Sequence, residues 1–261
     1  MKKKCKICGG DSSKIFESTV LKKIPTSYFK CNFCDFVQTD EPFWLNEAYS
    51  SAITNQDIGL ISRNINFSPL VSKLILFFFN TEVKFLDYGG GYGMFVRLMR
   101  DRGFDFKRYD TYCENIFAKG FDCSDEEKFG LITAIEVFEH LVNPMQVIKE
   151  MLDKSDNIFF TTELQPENFK NENDWWYVMP ETGQHISLFS IKTLKYLAKT
   201  FNLNLYTNGS SYHLLTTKKI NPYFFKIITN KYVGLILNKF CKRHPSLLWS
   251  DYSKLAKSEC N

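Results

Sequence analysis

The amino-acid sequence predicts an α/β fold, with a doubly wound, mostly parallel seven-stranded sheet behind a small N-terminal zinc-binding module. Short apolar segments with strand character alternate with amphipathic helical segments between residues 81 and 220. Such alternation is typical of parallel sheets with helices on both faces. A glycine-rich turn joins the first of these strands to its helix, and two Cys-x-x-Cys pairs lie within residues 1–40.

Length and composition fit one α/β domain with a small appendage. The chain has 261 residues, of which 44% are hydrophobic and 24% charged, as in an ordinary water-soluble protein. The net charge of +4 is mild, and basic residues collect near the two ends, in residues 2–6 and 239–243. We therefore expect basic ends on a neutral enzyme body rather than a nucleic-acid surface.

The sequence predicts a cytoplasmic protein without a membrane span. The basic start is not followed by the apolar stretch of a signal peptide. The most apolar run, residues 74–79, is too short to cross a bilayer. The eight cysteines are then expected in a reducing compartment, where paired spacing favours metal binding over disulfides.

The first predicted unit, residues 1–40, contains the pairs Cys5-x-x-Cys8 and Cys31-x-x-Cys34. Four thiolates suit a closed tetrahedral zinc site, and so small a segment needs such a centre in order to fold. The alternative is a redox pair, which would be a single motif at a helix start.

Residues 41–80 are predicted to be mostly helical and to form a linker and cover over the active site. Pro69 precedes an apolar run, Leu70–Phe79, which predicts a helix packed on the following domain. Asp57, Arg63 and Asn64 lie before it. Arg63 is predicted to bind a phosphate or carboxylate of the substrate, the alternative being a surface ion pair.

The stretch from Val83 to Leu86 predicts a strand, and the next residues, Asp87-Tyr88-Gly89-Gly90-Gly91-Tyr92-Gly93, predict a tight turn into a helix. Glycines at such a turn allow the backbone to approach a ligand closely. The dinucleotide pattern G-x-G-x-x-G is not satisfied, because the third glycine position holds Met94. A second strand is predicted to end near Asp110.

Asp87 followed by Gly89, Gly91 and Gly93 resembles the first motif of class I, Rossmann-like, S-adenosylmethionine-dependent methyltransferases. The resemblance covers about residues 81–217. It implies that Asp87 and the glycines bind the methionine and ribose side of S-adenosylmethionine. It also implies that Asp110 accepts hydrogen bonds from the ribose hydroxyls. An NAD-binding turn or an ordinary tight turn are the alternatives.

The remaining elements complete the predicted sheet. Strands are expected at 131–135 and 157–162, and a hairpin at 203–206 and 213–216. Asn143 with Pro144, and Ser190, are expected to begin helices. Residues 221–261 are predicted to form a helical, basic extension.

Glu136-x-x-Glu139-His140 follows the strand at which this fold places its active-site edge, and His185 lies in the loop after the next strand. The pattern resembles that of small-RNA ribose methyltransferases and some quinone-pathway O-methyltransferases, which implies a divalent ion such as Mg²⁺ held by Glu136, Glu139, His140 and His185. The alternative, as in methyltransferases with a similar pattern and no metal, is that Glu136 lines the cofactor pocket and His140 caps a helix. We predict His185, Glu136 and His140 as catalytic residues, with His185 as general base with or without a metal.

Trp175, Trp176, Tyr177 and Gln184 are predicted to bind the substrate, because consecutive aromatics in a polar loop suit a stacking wall or a lid. The alternative is that one tryptophan only anchors the loop. These residues with Gly183-Gln184-His185-x-Ser187-x-Phe189-Ser190 resemble methyltransferases encoded among bacterial surface-polysaccharide genes.

This resemblance implies O-methylation of a small sugar- or phosphate-containing acceptor in surface-polysaccharide synthesis, a phosphoramidate decoration being one instance. A four-cysteine module before such a domain is also similar to sugar C-methyltransferases and to ribosomal RNA guanine methyltransferases. RNA methylation is thus one alternative, although basic residues are few. A non-catalytic cofactor-binding module is the other.

Overall fold

The computed structural model describes residues 2–49, 58–230 and 244–258, arranged around two sheets. In these residues the strands are β1 (Lys2–Lys4), β2 (Asp11–Val20), β3 (Ile24–Cys31), β4 (Val37–Thr39), β5 (Phe85–Tyr88), β6 (Phe106–Tyr109), β7 (Ile132–Ala134), β8 (Asn157–Thr161), β9 (Ser187–Leu188), β10 (Asn204–Thr207) and β11 (Tyr212–Thr216). The helices are α1 (Leu45–Ala48), α2 (Leu60–Phe78), α3 (Met94–Asp101), α4 (Pro144–Lys154), α5 (Ile191–Thr200), α6 (Pro222–Thr229) and α7 (Leu248–Ser258).

The larger sheet has the order β10-β11-β8-β7-β5-β6, in which β6, β5, β7 and β8 are parallel and the β10–β11 hairpin is antiparallel. The described residues form six strands here, not the expected seven. Beyond β6 there is only an isolated parallel bridge between Arg108 and Asp122. The segment 111–130 is rich in charged residues and glycine, so it lacks the apolar alternation that would extend this bridge into a strand.

The smaller sheet is antiparallel and has the order β1-β2-β3-β4-β9. Its last strand comes from residues 187–188, far along the chain from the predicted module of residues 1–40. Cys34 and Phe36 also share a hydrophobic core with Phe189 and Leu194. The N-terminal module and the larger domain are therefore built as one packed unit.

Helix α2 begins at Leu60 and continues through Pro69, where the sequence predicted a helix start. A proline inside a helix leaves the carbonyl four residues earlier without its N–H partner. Here the Ser68 hydroxyl donates to the Ile65 carbonyl at 3.3 Å and satisfies that group. Val71, Leu74 and Ile75 are buried and fix the helix against the larger domain.

The C-terminal helix α7 is attached to α3 by a buried ion pair. Asp251 accepts hydrogen bonds from the Arg100 guanidinium at 2.7 and 2.8 Å and from Arg97 at 2.9 Å. The expected basic cluster at 239–243, with Cys241, and also Asp57 and Cys260, fall outside the described residues. Among the helices that the structure describes, none has the length and apolar character to span a membrane.

Candidate functional site

The four cysteines of the N-terminal segment converge, as their spacing predicts. The sulfur atoms of Cys5, Cys8, Cys31 and Cys34 all lie within 4.8 Å of one another, and the shortest pairs are 3.4 and 3.6 Å apart. A tetrahedral zinc ion with Zn–S bonds of about 2.3 Å places its sulfurs about 3.8 Å apart. The donor set and its spacing therefore fit zinc.

The backbone around the cysteines has the form of two metal-binding knuckles. The N–H groups of Ile7, Phe33 and Cys34 point at cysteine sulfurs at 3.4 Å. Such N–H groups stabilise thiolate charge at a metal centre. Beyond the cluster, the described cysteines Cys113 and Cys123 are half-buried and stand apart.

The glycine loop joins β5 to α3, as predicted. Gly89 has φ +69°, and a Cβ atom added there would lie 2.7 Å from Cγ2 of Val137. A side chain at this position would strain both the backbone and the packing, so glycine is required. The loop thereby brings its backbone up against the end of β7.

Asp87, at the end of β5, is almost fully buried beside this loop. Its carboxylate accepts a hydrogen bond from the Thr133 hydroxyl at 2.7 Å. Burial raises the pKa of Asp87 to about 7, and the hydrogen bond from Thr133 partly opposes that rise. A cationic ligand bound next to Asp87 would therefore stabilise its ionised form.

Asp110 follows β6 and organises the opposite side of the loop. One of its oxygens accepts from the Gly91 N–H at 2.9 Å, and the other accepts from the N–H groups of Tyr112 and Cys113 at 2.8 and 2.9 Å. Arg108 is buried close by and donates to the Gly91 carbonyl at 2.6 Å. Asp110, which the sequence predicts to bind the ribose, therefore also fixes the loop.

A cavity opens between the glycine loop and α2. It is lined by residues from four parts of the chain, namely Leu60, Arg63, Asn64, Phe67, Asp87, Gly89, Gly90, Gly91, Tyr92, Met94, Phe95, Cys113, Ile135 and Glu136. Helix α2 thus covers this cavity, and the structure places Arg63 in its wall.

Glu136 lines the cavity. It has φ +54°, a left-handed conformation that is uncommon for a residue with a side chain. Thr161 at the end of β8 holds it there, because the Thr161 hydroxyl accepts from the Glu136 N–H at 2.8 Å and donates to its carboxylate at 2.6 Å. The strained backbone directs this carboxylate into the cavity wall.

Glu139, His140 and His185 form a second cluster, with one possible ligand atom of each within 4.8 Å of the others. His140 Nε2 is 3.7 Å from Glu139 Oε1, and the two imidazole rings are 5.1 Å apart. Both carboxylate oxygens of Glu139 are buried without a hydrogen-bond partner among the described residues, as are the Thr162 and Tyr177 hydroxyl oxygens. Of the four predicted metal ligands, the structure brings together three.

The surroundings of this cluster favour uncharged groups. Burial, and then the nearby Glu136 carboxylate, raise the pKa of Glu139 well above its usual range. Burial lowers the pKa of His140 well below its usual range and that of His185 to about 4. The His185 Nδ1–H donates to the Tyr177 carbonyl at 2.6 Å. Since a carbonyl only accepts, His185 Nε2 is left with a free lone pair.

The predicted substrate-binding aromatics have different environments. Trp175 is buried against Phe169, which makes it an anchor of the loop. Tyr177 is buried beneath His185, with ring centroids 4.5 Å apart, and Trp176 is 72% exposed. The Gln184 side chain donates to the Ala48 carbonyl at 3.0 Å.

Several residues of the site were missed in the sequence. Arg108 holds the glycine loop through the Gly91 carbonyl. Thr133 holds Asp87, and Thr161 holds Glu136. An arginine at a buried, inward position of β6 was an available signal, since such a group needs partners. Tyr49, whose hydroxyl oxygen is 2.5 Å from His140 Nδ1, gave no local signal, because the two residues are 91 positions apart in the sequence.

Comparison with known proteins identifies a family to which the chain belongs. Residues 63–208 match the family described as a methyltransferase domain, which is more than half of the chain. No curated protein matches the chain in sequence.

Several solved structures are similar at low identity. The mitomycin 7-O-methyltransferase is 10% identical with a TM-score of 0.46, over 67% of this chain and 60% of that one. The plantazolicin methyltransferase, bound to a substrate analogue and S-adenosylhomocysteine, is 14% identical with a TM-score of 0.45, over 75% and 87%. Human N-acetylserotonin methyltransferase is 11% identical with a TM-score of 0.41, over 59% and 52%. The chain thus spans less than two thirds of the mitomycin and human enzymes.

Proposed function

The chain belongs to the methyltransferase-domain family, and on that premise we propose that it transfers the methyl group of S-adenosylmethionine to a hydroxyl oxygen of a small acceptor. The observation that carries the proposal is that a candidate cofactor cavity lies close to a candidate proton acceptor. A cavity is walled by the glycine loop, Asp87 and Glu136, and Glu136 is near enough to Glu139 of the cluster for its charge to raise the pKa of that group. In the same cluster, His185 Nε2 has a free lone pair.

The cavity residues suit the cofactor. Asp87 and the glycine loop would hold its methionine part, Asp110 would hold its ribose, and Glu136 would line the same cavity. S-adenosylmethionine supplies an electrophilic methyl group on a sulfonium centre. A positive charge beside the buried Asp87 carboxylate is favourable, since that carboxyl group is costly to ionise without a cation.

The acceptor side requires alignment and removal of one proton. The protein mainly has to place the acceptor oxygen in line with the methyl carbon. As the methyl group passes to the acceptor oxygen, its bond to the sulfonium sulfur would break, leaving S-adenosylhomocysteine, and His185 Nε2 would take the proton of the hydroxyl group. His185 keeps its other proton on Nδ1, where the Tyr177 carbonyl orients the ring.

The alternative to a free general base is a divalent ion held by the same cluster, in which case the His185 Nε2 lone pair would bind the ion instead of taking the proton. Glu139, His140 and His185 offer one carboxylate and two imidazoles, a set that suits zinc, manganese or iron better than Mg²⁺. In that arrangement Glu136 belongs to the cavity, because its carboxylate is hydrogen-bonded to Thr161. The ion would polarise the acceptor hydroxyl.

For the acceptor we propose a sugar- or phosphate-containing compound of surface-polysaccharide synthesis in the cytoplasm. The exposed Trp176 ring beside Tyr177 supports a stacking contact with a sugar ring. Arg63 in the cavity wall supports recognition of a phosphate. We also propose that the four cysteines bind a structural zinc ion.

The test is a methyl-transfer assay on the zinc-replete protein. S-adenosylhomocysteine release is measured with sugars, nucleotide sugars, phosphate monoesters, a phosphoramidate and bulk RNA, after mild chelation and with Mg²⁺ or Mn²⁺ restored. We expect turnover with a member of the sugar or phosphate groups. Turnover with RNA alone would contradict the acceptor class, and no turnover with any acceptor despite cofactor binding would contradict the enzymatic function.

A further inference from the structure

Tyr49 lies at the C-terminal end of α1 and contacts His140 of the cluster formed by Glu139, His140 and His185. Two long-range hydrogen bonds fasten this short helix to the loop that carries His185. The Trp44 indole N–H donates to the Gly183 carbonyl at 2.8 Å, and the Gln184 amide donates to the Ala48 carbonyl at 3.0 Å. The position of Tyr49 is therefore fixed relative to the site.

Two contacts fix the orientation of the Tyr49 side chain. Its ring stacks on Tyr112 with centroids 4.9 Å apart and an interplanar angle of 15°. Its hydroxyl oxygen is 2.5 Å from Nδ1 of His140. Tyr112 belongs to the loop that the Asp110 carboxylate holds. Tyr49 thus touches the loop that follows β6 with its face and the histidine cluster with its hydroxyl.

The direction of the hydrogen bond follows from which groups have partners. Within the described residues, the contact with His140 is the one hydrogen bond of the Tyr49 hydroxyl. If His140 Nδ1 were the donor, the phenolic hydrogen would be left without an acceptor among the described residues, which is unfavourable for a largely buried hydroxyl group. The phenol therefore donates and Nδ1 accepts.

The ring proton of a neutral His140 then resides on Nε2, the nitrogen that lies 3.7 Å from Glu139 Oε1. His185 has the opposite arrangement, because its Nδ1–H donates to the Tyr177 carbonyl. The two rings are 5.1 Å apart. One histidine thus presents an N–H donor to the site, and the other presents a lone pair.

We propose that Tyr49 is a positioning residue that fixes His140 as the Nε2–H tautomer, so that His140 donates a hydrogen bond while His185 accepts the proton. Applied to catalysis, the proposal rests on the proposed methyl transfer. An acceptor hydroxyl is the group that such a pair recognises, since its oxygen accepts from His140 Nε2–H while its hydrogen is donated to His185 Nε2. A protonated Nε2 does not bind a metal, so the pair works without a divalent ion.

The test compares the wild-type full chain with Tyr49→Phe, which keeps the stacked ring and removes only the hydroxyl. Tyr223→Phe, at an exposed position of α6, is the matched control. Nitrogen-15 NMR of the histidine side chains, with S-adenosylhomocysteine present, reads the tautomers directly. We expect an unprotonated Nδ1 on His140 and an unprotonated Nε2 on His185. In Tyr49→Phe only the His140 signals should change, towards a mixture of tautomers.

Two NMR outcomes would overturn the proposal. One is a wild-type His140 protonated on Nδ1, including the case in which added Zn²⁺ or Mn²⁺ binds its Nε2. The other is a His140 spectrum unchanged by Tyr49→Phe.

The kinetic readout separates this inference from the proposed function. We expect Tyr49→Phe to lower kcat about tenfold, as for one lost buried hydrogen bond, with KM for S-adenosylmethionine within about twofold. If the tautomers are as expected and the wild type methylates no acceptor, the proposed function fails and the assignment stands. If the wild type is active and the variant keeps full kcat, the inference fails and the function stands.

Discussion

The two halves of the candidate site are built in different ways. The cofactor half comes largely from one stretch, β5 to the end of β7, and its defining contact joins Gly91 to Asp110, 19 residues apart. The acceptor half joins distant segments. The Tyr49–His140 contact spans 91 residues and the Trp44–Gly183 contact spans 139.

This difference assigns a role to the N-terminal cysteines. Strand β4 follows Cys34 and pairs with β9, which begins two residues after His185. The hydroxyls of Ser190 and Thr193 also donate to the Cys34 carbonyl, at 3.3 and 2.8 Å. A metal held by the cysteines therefore supports the acceptor half, whereas the cofactor half has its own local hydrogen bonds.

The largest effect is expected from breaking the cysteine cluster. Cys34→Ser removes one of four thiolates in a buried centre, and we expect a loss of at least ~3 kcal/mol in the free energy of unfolding. Chemical denaturation and zinc content measure it, with Cys123→Ser as the control. An unchanged unfolding free energy with a full equivalent of zinc would show that the cluster is not a metal centre.

Loss of the proposed base comes next. We expect His185→Ala to lower methyl transfer at least ~100-fold, because the acceptor hydroxyl loses its proton acceptor. Affinity for S-adenosylhomocysteine should stay within about twofold, since His185 lies in the other half. Near-normal turnover in this variant would remove His185 from the mechanism.

A matched pair of glycines tests the cofactor half. Gly89→Ala should cost about 2 kcal/mol of stability and weaken cofactor binding, because its Cβ would lie 2.7 Å from Val137 at positive φ. Gly91→Ala also has positive φ but nothing within 4 Å of its Cβ, so we expect about 1 kcal/mol. Thermal unfolding compares the two, and equal losses would contradict the packing argument.

The smallest effect is a pH dependence of cofactor binding. The pKa of Asp87 is raised to about 7 by burial, and its ionised form favours a cationic ligand. Affinity for S-adenosylmethionine should therefore rise as pH increases through 7, by up to about tenfold between pH 6 and 8. The Asp87→Asn variant should lose this pH dependence of S-adenosylmethionine affinity. An equally steep rise in that variant would assign the titration to another group.

The sequence predicted features set by neighbouring residues. The cysteine pairs, the glycine loop and the closing hairpin are all found, and Ser190 caps α5 through a bond from the Thr193 N–H at 3.0 Å. Asn143 is at the start of α4 as expected, although its side chain makes no capping bond. Each of these patterns is complete within a short stretch of chain.

Features that depend on distant residues were not predictable in this way. The run of α2 through Pro69 depends on the Ser68 hydroxyl and on burial against the larger domain. The pairing of β9 with β4 and the hydrogen bond of Tyr49 to His140 exist only after the chain has folded. Only three of the four predicted metal ligands cluster, because Thr161 holds Glu136 apart.

The central claim is that the glycine loop, with Asp87 and Asp110, forms a site for S-adenosylmethionine that is separable from the acceptor half. Calorimetric titration of the zinc-replete protein with S-adenosylmethionine and S-adenosylhomocysteine tests it most directly, with Asp110→Ala and His185→Ala alongside. We predict saturable binding that Asp110→Ala weakens and His185→Ala leaves unchanged. No binding by the folded protein, or binding of NAD in its place, would contradict the claim.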